Sequence, residues 1–285
     1  MPTPSDATPA ASKAAASKAA VLAELRGRIR RMEGIGGADG TRFLPLGVPD
    51  VDGVLPDGGL PLGCLHEVVG ENDPFNSVAT GFSAAILARI SSRRTDSGHG
   101  GSGSGQVVWI TRDDDLYAPG IAAYGLKPER LIVVSARRDS DILWAMEESL
   151  RCRSLAAVLG EIGDIDMVAS RRLQLAAEAS GVTALLLRSS SRRLGTTASV
   201  TRWGLSAAPS LPIGGFPGYG RAEGGEQGVG LPRWRTRLLR CRGGQPGEWL
   251  LEWRGDGFAL ADDPAEGASG ETEPEWLQRM SSSVW

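Results

Sequence analysis

Histidine and cysteine are scarce in this chain. Two histidines (His66, His99) and three widely spaced cysteines (Cys64, Cys152, Cys241) in 285 residues leave too few groups for a zinc cluster or a disulfide scaffold, so no metal site is expected. Isolated cysteines suit a reducing cytosol. No apolar run approaches the ~20 residues of a membrane span, and the first residues lack the continuous apolar stretch of a secretory signal. A cytoplasmic protein without membrane contact is the expectation. Neither charge dominates: 31 basic against 34 acidic residues give a net charge of -3, which excludes a histone-like polyanion binder but not a local basic patch. Ser–His–acid sets and paired carboxylates do not stand out.

Present instead are 41% apolar residues, enough for a core, and 39 glycines gathered into a few runs. Residues 1–18 are mostly Ala, Ser, Thr and Pro with two lysines, a composition expected to stay disordered. Residues 19–37 carry an amphipathic, arginine-rich helix. Val21, Leu22, Leu25, Ile29 and Met32 share one face, and Arg26, Arg28, Arg30 and Arg31 crowd its C-terminal end. That stripe has to be buried on this domain, on another copy or on a partner.

Residues 41–207 alternate short runs of Val, Ile and Leu with helical patterns. Strands are expected at Cys64–Val69, Val107–Ile110, Leu131–Val134, Ala156–Leu159, Thr183–Leu187 and Trp203–Ala207. Helices are expected at Phe75–Ile90, Leu116–Tyr124, from Asp139, and at Met167–Ala179. This order predicts an α/β fold with a parallel sheet covered by helices on both faces. Residues 208–232 hold four prolines and eight glycines and read as a long loop. Residues 233–260 (RWRTRLLRCR, GGQPG, EWLLEW) predict an antiparallel hairpin at the sheet edge. Residues 261–285 form an acidic tail ending in Trp276, Leu277, Met280 and Trp285, which reads as disordered or as a docking peptide.

The informative stretch is GGLPLGCLHEVVGENDPFNS, from Gly58 to Ser77. A turn, a strand ending at Gly70, a loop and a helix are the architecture of a phosphate loop, whose pattern is G-x-x-x-x-G-K-[ST]. Gly70 and Ser77 match its ends. Phe75 stands at the second glycine and Asn76 at the lysine. Asn76 supplies no charge to a phosphate, Phe75 fills space that the backbone needs, and Pro74 removes an N–H. Glu71 and Asp73 add negative charge, at several kcal/mol each for ~4 Å and an effective dielectric of ~20. The loop has the shape of a nucleotide site with opposing electrostatics, so no cofactor is expected. Ser77 and Asp73 read as ordinary helix N-terminal residues rather than magnesium ligands.

Leu46 through Ser77 resembles the opening of the RecA recombinase core. Asp114, in the run after Val107–Ile110, falls near the position where those proteins keep a catalytic glutamate. Gly160-Glu161 follows the strand that in them ends in a magnesium-linked aspartate, leaving Asp114 and Glu161 as a vestigial acidic site. Arg240 and Arg242 match the basic-x-basic pair that in relatives reaches a neighbouring subunit's nucleotide; a structural or acid-pairing role is equally open. Arg188, Arg192 and Arg193 surround the loop SSSRRLGTT, where a DNA-binding loop emerges in recombinases, and are candidate DNA contacts.

More narrowly, the chain is similar to the ImuA family, the RecA-like component of the bacterial ImuA–ImuB mutagenesis cassette. The resemblance rests on VLAELRGRIRRME, GLPLGCLHEVVG, DLYAPGIAAYGL, ARRDSDILWAMEESLR, LGEIGDIDMVASRRLQLAAEASGVTALLLR, TRW and the final hairpin, over roughly residues 20 to 253. It implies a non-hydrolysing adaptor in SOS-induced translesion synthesis. The implied partners are an ImuB-like homologue of Y-family polymerases, an error-prone DnaE-type polymerase and RecA. A nucleotide-dependent, DNA-binding ATPase of the RecA type and a SulA-like inhibitor of cell division are the alternatives.

The leading helix gives the first test. Leu25→Glu combined with Ile29→Glu is expected to abolish association with another copy or a partner, read by size-exclusion chromatography, while the core's melting temperature stays nearly unchanged. Unfolding of the core instead means that the helix packs on its own domain.

Overall fold

The computed structural model describes residues 43–71, 76–96, 105–113, 115–189, 194–210 and 230–262. The expected N-terminal helix with Leu22, Leu25, Ile29 and Met32, most of the 208–232 loop and the acidic tail from residue 263 lie outside the described residues.

A short antiparallel pair, β1 (Phe43–Leu44) and β2 (Leu60–Pro61), precedes the main sheet and brackets helix α1 (Pro49–Asp52). The main chain path is then β3 (Leu65–Gly70), α2 (Ser77–Asp96), β4 (Val107–Thr111), α3 (Ala118–Ala123), β5 (Leu131–Ser135), α4 (Asp139–Leu150), β6 (Ala157–Glu161), α5 (Met167–Ser180), β7 (Thr183–Ser189) and β8 (Thr201–Ala207). It ends with β9 (Arg233–Cys241), β10 (Gly247–Trp253) and β11 (Phe258–Leu260). Nine strands lie in the order β11-β10-β9-β8-β3-β7-β6-β4-β5. β8, β3, β7, β6, β4 and β5 are parallel, and β9, β10 and β11 extend the sheet antiparallel. The expected fold class holds, with one addition: the C-terminal hairpin gains a third strand, β11. Phe258 alone gives that strand an apolar anchor, too little periodicity to read from three residues.

The parallel strands are apolar along their length because both faces are covered. On one face α2 and α3 pack over Trp109, Leu159, Leu187 and Trp203. On the other, Ile142, Met146 and Leu150 of α4 and Leu173 and Ala177 of α5 close over Val108, Ile110, Val158 and Leu186. Sequence periodicity gives α2 one apolar stripe, Val78, Phe82, Ile86 and Ile90. The structure buries it nearly all round, including Ser83, Ala84, Ala85, Leu87 and Ala88, because small side chains let several layers approach it. Phe82 meets Trp203, Trp234 and Phe258 with ring centroids 5.8, 5.8 and 5.3 Å away, so α2 joins the parallel sheet to its antiparallel extension. α5 starts at Asp166, whose carboxylate accepts from Ala169 N–H at 2.7 Å. It stops at Gly181, where φ of 75° needs a residue without Cβ.

His66 is the core histidine that its strand position suggests. Its Nε2 donates to the Pro61 carbonyl at 2.8 Å, and its Nδ1 accepts from the Thr201 hydroxyl at 2.8 Å, which in turn receives Trp203 Nε1–H at 3.0 Å. Pro61 offers only an acceptor and Thr201 Oγ1 is already taking a proton, so the neutral Nε2–H tautomer satisfies all three groups. Burial pushes the His66 pKa down to about 4 from 6.5. With the folded value below the unfolded one, the stability it contributes is whole above pH 6.5 and is lost as pH falls toward 4. The loss expected is on the order of 3 kcal/mol, measured by denaturant titration at several pH values, and it should disappear in His66→Gln.

Candidate functional site

A cavity of about 560 Å³ opens at the C-terminal ends of the parallel strands, between α2 and α3. This is where open α/β sheets place ligands. Its floor is the start of α2: Asn76, Ser77, Thr80 and Gly81. Gly81 is required here, because a Cβ would stand 2.6 Å from the Tyr124 hydroxyl that closes the far wall. Tyr117 and Ile121 complete that wall.

The degenerate phosphate loop is partly visible. Gly70 ends β3, and Asn76 enters α2 with φ of 54°, a left-handed conformation that asparagine tolerates better than most residues. Thr80 N–H closes the first helical turn on the Asn76 carbonyl at 2.7 Å. A Cβ at Gly70 would lie 3.0 Å from Asn76 Oδ1, which is itself buried without a hydrogen-bond partner. Gly70 therefore makes room for the asparagine side chain. Ser77 is exposed at the helix start, as a helix N-terminal residue should be. Phe75 and Asp73 lie outside the described residues.

One expectation about charge is corrected. Glu71 does not occupy the place of an anion: its carboxylate lies over Gly204 of β8 and reaches Arg237 Nη1 of β9 at 3.6 Å, outside the cavity lining. The reason is that Glu71 N–H continues the sheet by donating to the Leu205 carbonyl at 2.6 Å, which turns the side chain toward β8. At the end of β6, Gly160 faces the other layer, where a Cβ would meet Met146 Sδ at 2.4 Å, and strand alternation turns Glu161 to the cavity. Glu161, one of the two carboxylates expected as an acidic site, thus lies on the cavity lining. It accepts from Trp109 Nε1–H at 2.7 Å and Arg112 N–H at 3.2 Å, while the Thr111 hydroxyl, 3.0 Å away, divides its one proton between Glu161 and the Asp113 carbonyl at 2.5 Å, so each carboxylate oxygen already has a protein donor. Asp114, its expected companion, lies outside the described residues; its neighbours Asp113 and Asp115 line the cavity.

Among the described lining residues Arg112 is the one cation, and Asp139 at the start of α4 holds it in an ion pair. Asp139 also receives the N–H groups of Gly163 and Asp164 at 3.2 and 3.3 Å. The cavity therefore presents carboxylates and one already neutralised guanidinium.

Of the basic residues expected to meet DNA or a neighbouring subunit, the described ones, Arg188, Arg240 and Arg242, have partners within the protein. Arg188 belongs to β7 itself, not to the loop after it, and is fully buried. Its guanidinium stands 3.6 Å from Glu67 and 3.2 Å from Asp164, and a fully buried side chain does not touch a nucleic-acid backbone. Arg192 and Arg193 lie outside the described residues. Arg240 Nη1 donates to the Thr197 carbonyl at 2.5 Å and Arg242 Nη2 to the Ala198 carbonyl at 3.1 Å, so both turn onto the segment between β7 and β8. Burial, and then the Arg242 and Arg202 charges nearby, lower the pKa of Arg240.

These contacts form one assembly that motif reading passes over. Its centre is Glu67 of β3, fully buried, with Arg202 Nε of β8 at 2.6 Å, Arg188 beside it and the Thr197 hydroxyl bonded to its other oxygen. The signal in the sequence is a lone charge in an otherwise apolar strand (LHEVVG), which is not tolerated without a partner. Glu67→Gln would leave Arg202 without a carboxylate beside it and Arg188 with only the exposed Asp164, and is expected to lower stability by about 3–5 kcal/mol in urea denaturation. Arg237→Ala, which breaks only the more exposed pair with Glu71, should cost ~1 kcal/mol or less.

No protein-family model matches the chain. Two curated proteins, each named Protein ImuA and each from a strain of Caulobacter vibrioides, are 35% identical to it over 223 residues, which cover 74% of this chain and 84% of theirs. The chain belongs to the ImuA family.

Proposed function

We propose that this chain is a non-hydrolysing accessory protein of damage-induced translesion synthesis. In this reading it is a RecA-like scaffold kept for its surfaces, working in the cytoplasm as an adaptor. Its partners are an ImuB-like homologue of Y-family polymerases and an error-prone DnaE-type polymerase. Family membership carries the assignment to mutagenesis: 35% identity over 74% of the chain to proteins named ImuA. The chemistry of the cavity carries the absence of turnover. Phosphoryl transfer needs positive charge on the β- and γ-phosphates and carboxylates free to hold magnesium and position water. Here Asn76 replaces the lysine, Arg112 is committed to Asp139, and both oxygens of Glu161 already accept from the protein, from Trp109 Nε1–H and Arg112 N–H.

One observation favours the second reading, a nucleotide-driven ATPase. Glu161 does reach the cavity wall at the end of β6, with the Ser77 hydroxyl on the same lining. ATP hydrolysis by the purified full chain, with and without single-stranded DNA, separates the two. The adaptor reading expects no turnover above background in either case. A turnover of even ~1 per second that falls in Asp114→Asn would overturn it. Co-purification of an ImuB-like partner from DNA-damaged cells, unaffected by Ser77→Ala, would support it further.

A further inference from the structure

Among the described residues, β5 ends the sheet with β4 on one side and no neighbour on the other. Natural sheets blunt such an edge with a very short strand, a proline, a charge or a bulge. The far edge is blunted in this way, since β11 is three residues long. β5 is not. Leu131–Ser135 reads LIVVS, without proline or charge, and its register with β4 runs unbroken through five residues. Ile132 and Val133 remain exposed at 42% and 48%.

Alternation decides which backbone groups this edge offers. Ala136 N–H donates to the Thr111 carbonyl of β4 at 2.9 Å, so Ile132, Val134 and Ala136 direct their backbone groups to β4. Val133, between them, turns its N–H and C=O outward. The side chains divide too. Val133 shares the face of Trp109, whereas Ile132 and Val134 share that of Val108 and Ile110.

A second copy of β5 matches all of this. With Val133 opposite its own counterpart on a two-fold axis, antiparallel strands exchange two N–H···O bonds at that residue. The two Val133 side chains then meet on one face. On the other face Ile132 of each copy meets Val134 of its mate.

The flanking charges fit the same register. Glu129 and Arg137 stand equally far from Val133 on its two sides, and so do Lys127 and Asp139. Antiparallel pairing therefore brings Glu129 toward Arg137 of the other copy, and Lys127 toward Asp139. Lys127, Glu129 and Arg137 are exposed and form no ion pair among the described residues. Asp139 is already shared with Arg112, and Arg130 is turned to the Ser91 carbonyl at 3.4 Å. Arg138 and Asp141, both exposed at the start of α4, offset each other in charge. The Glu129–Arg137 pair is thus the one that fixes register and direction. A foreign strand satisfies the backbone and the apolar side chains; the mirrored charges single out a second copy.

We propose that two copies of this chain associate through β5, antiparallel about a two-fold axis at Val133, so that one sheet continues across both. Strands this short bury little area, which makes the dimer weak and reversible.

Sedimentation equilibrium of the full chain tests this, with a reductant present so that the exposed Cys152 does not join chains. The expected result is a monomer–dimer equilibrium with a dissociation constant on the order of 10 μM. Val133→Lys sets two ammonium groups face to face at the axis, on an edge where lysine is tolerated. It should weaken the dimer at least about tenfold with the melting temperature unchanged. Glu129→Arg and Arg137→Glu should each weaken it about three- to tenfold, and the double variant should return it to within about twofold of the parent. That rescue can come only from another copy, because the two residues flank opposite ends of one strand. A chain that stays monomeric well above that concentration overturns the proposal. So does a dimer that Val133→Lys leaves intact, an assembly larger than a dimer, or a double variant no tighter than the single ones.

Discussion

A carboxylate in the middle of a sheet sets the arrangement of the second face. Glu67 sits on β3, which pairs in parallel with β7 on one side and β8 on the other, and it is fully buried. Such a charge persists only with charged and hydrogen-bonding partners around it. The chain provides them from several places: Arg188 on β7, Arg202 on β8, Thr197 between those strands, and Asp164 ahead of α5 as the second partner of Arg188. Arg240 and Arg242 extend the assembly from β9 by holding the carbonyls of Thr197 and Ala198. Thr197 and Ala198, between β7 and β8, are thereby pinned to β9. Arg188, Arg240 and Arg242, which resemble recombinase DNA and subunit contacts, find their partners within the protein.

The opposite face is joined by aromatic packing. Phe82 of α2 touches rings from β8, β9 and β11, so the hairpin and the parallel sheet share one aromatic core. Gly81, next to it, lets Tyr124 close against α2 and shape the cavity wall. The cavity is therefore a by-product of the same helix that unites the sheet. Around that cavity the protein engages much of its own polar chemistry: Gly70 leaves room for the Asn76 side chain, and Glu161 accepts from Trp109 Nε1–H and Arg112 N–H.

The strand order along the chain, the helices between the strands and the hairpin were all legible, because each is encoded locally: runs of Val, Ile and Leu for doubly covered strands, periods of three and four for helices, Gly-Gly-Gln-Pro-Gly for the turn. The replacement of the lysine by Asn76 was equally legible, since a motif is a matter of spacing. What escaped was direction. Gly160 and Glu161 are adjacent in sequence, and only the face on which Met146 lies decides that the glutamate, not the glycine, looks into the cavity. Glu71 belongs to the loop by sequence and to the β8–β9 face by geometry.

By itself, the sequence determined the α/β class, the antiparallel edge and the electrostatic poverty of the phosphate loop, because composition and spacing act within a few residues of where they are written. Only the tertiary structure decided which charges are partners. Glu67 and Arg202 are separated by 135 positions and Arg188 and Asp164 by 24, and nothing local distinguishes a guanidinium bound for a buried carboxylate from one bound for solvent. The choice is made when strands β3, β7 and β8 come side by side, and burial then makes an unpaired charge too costly to keep.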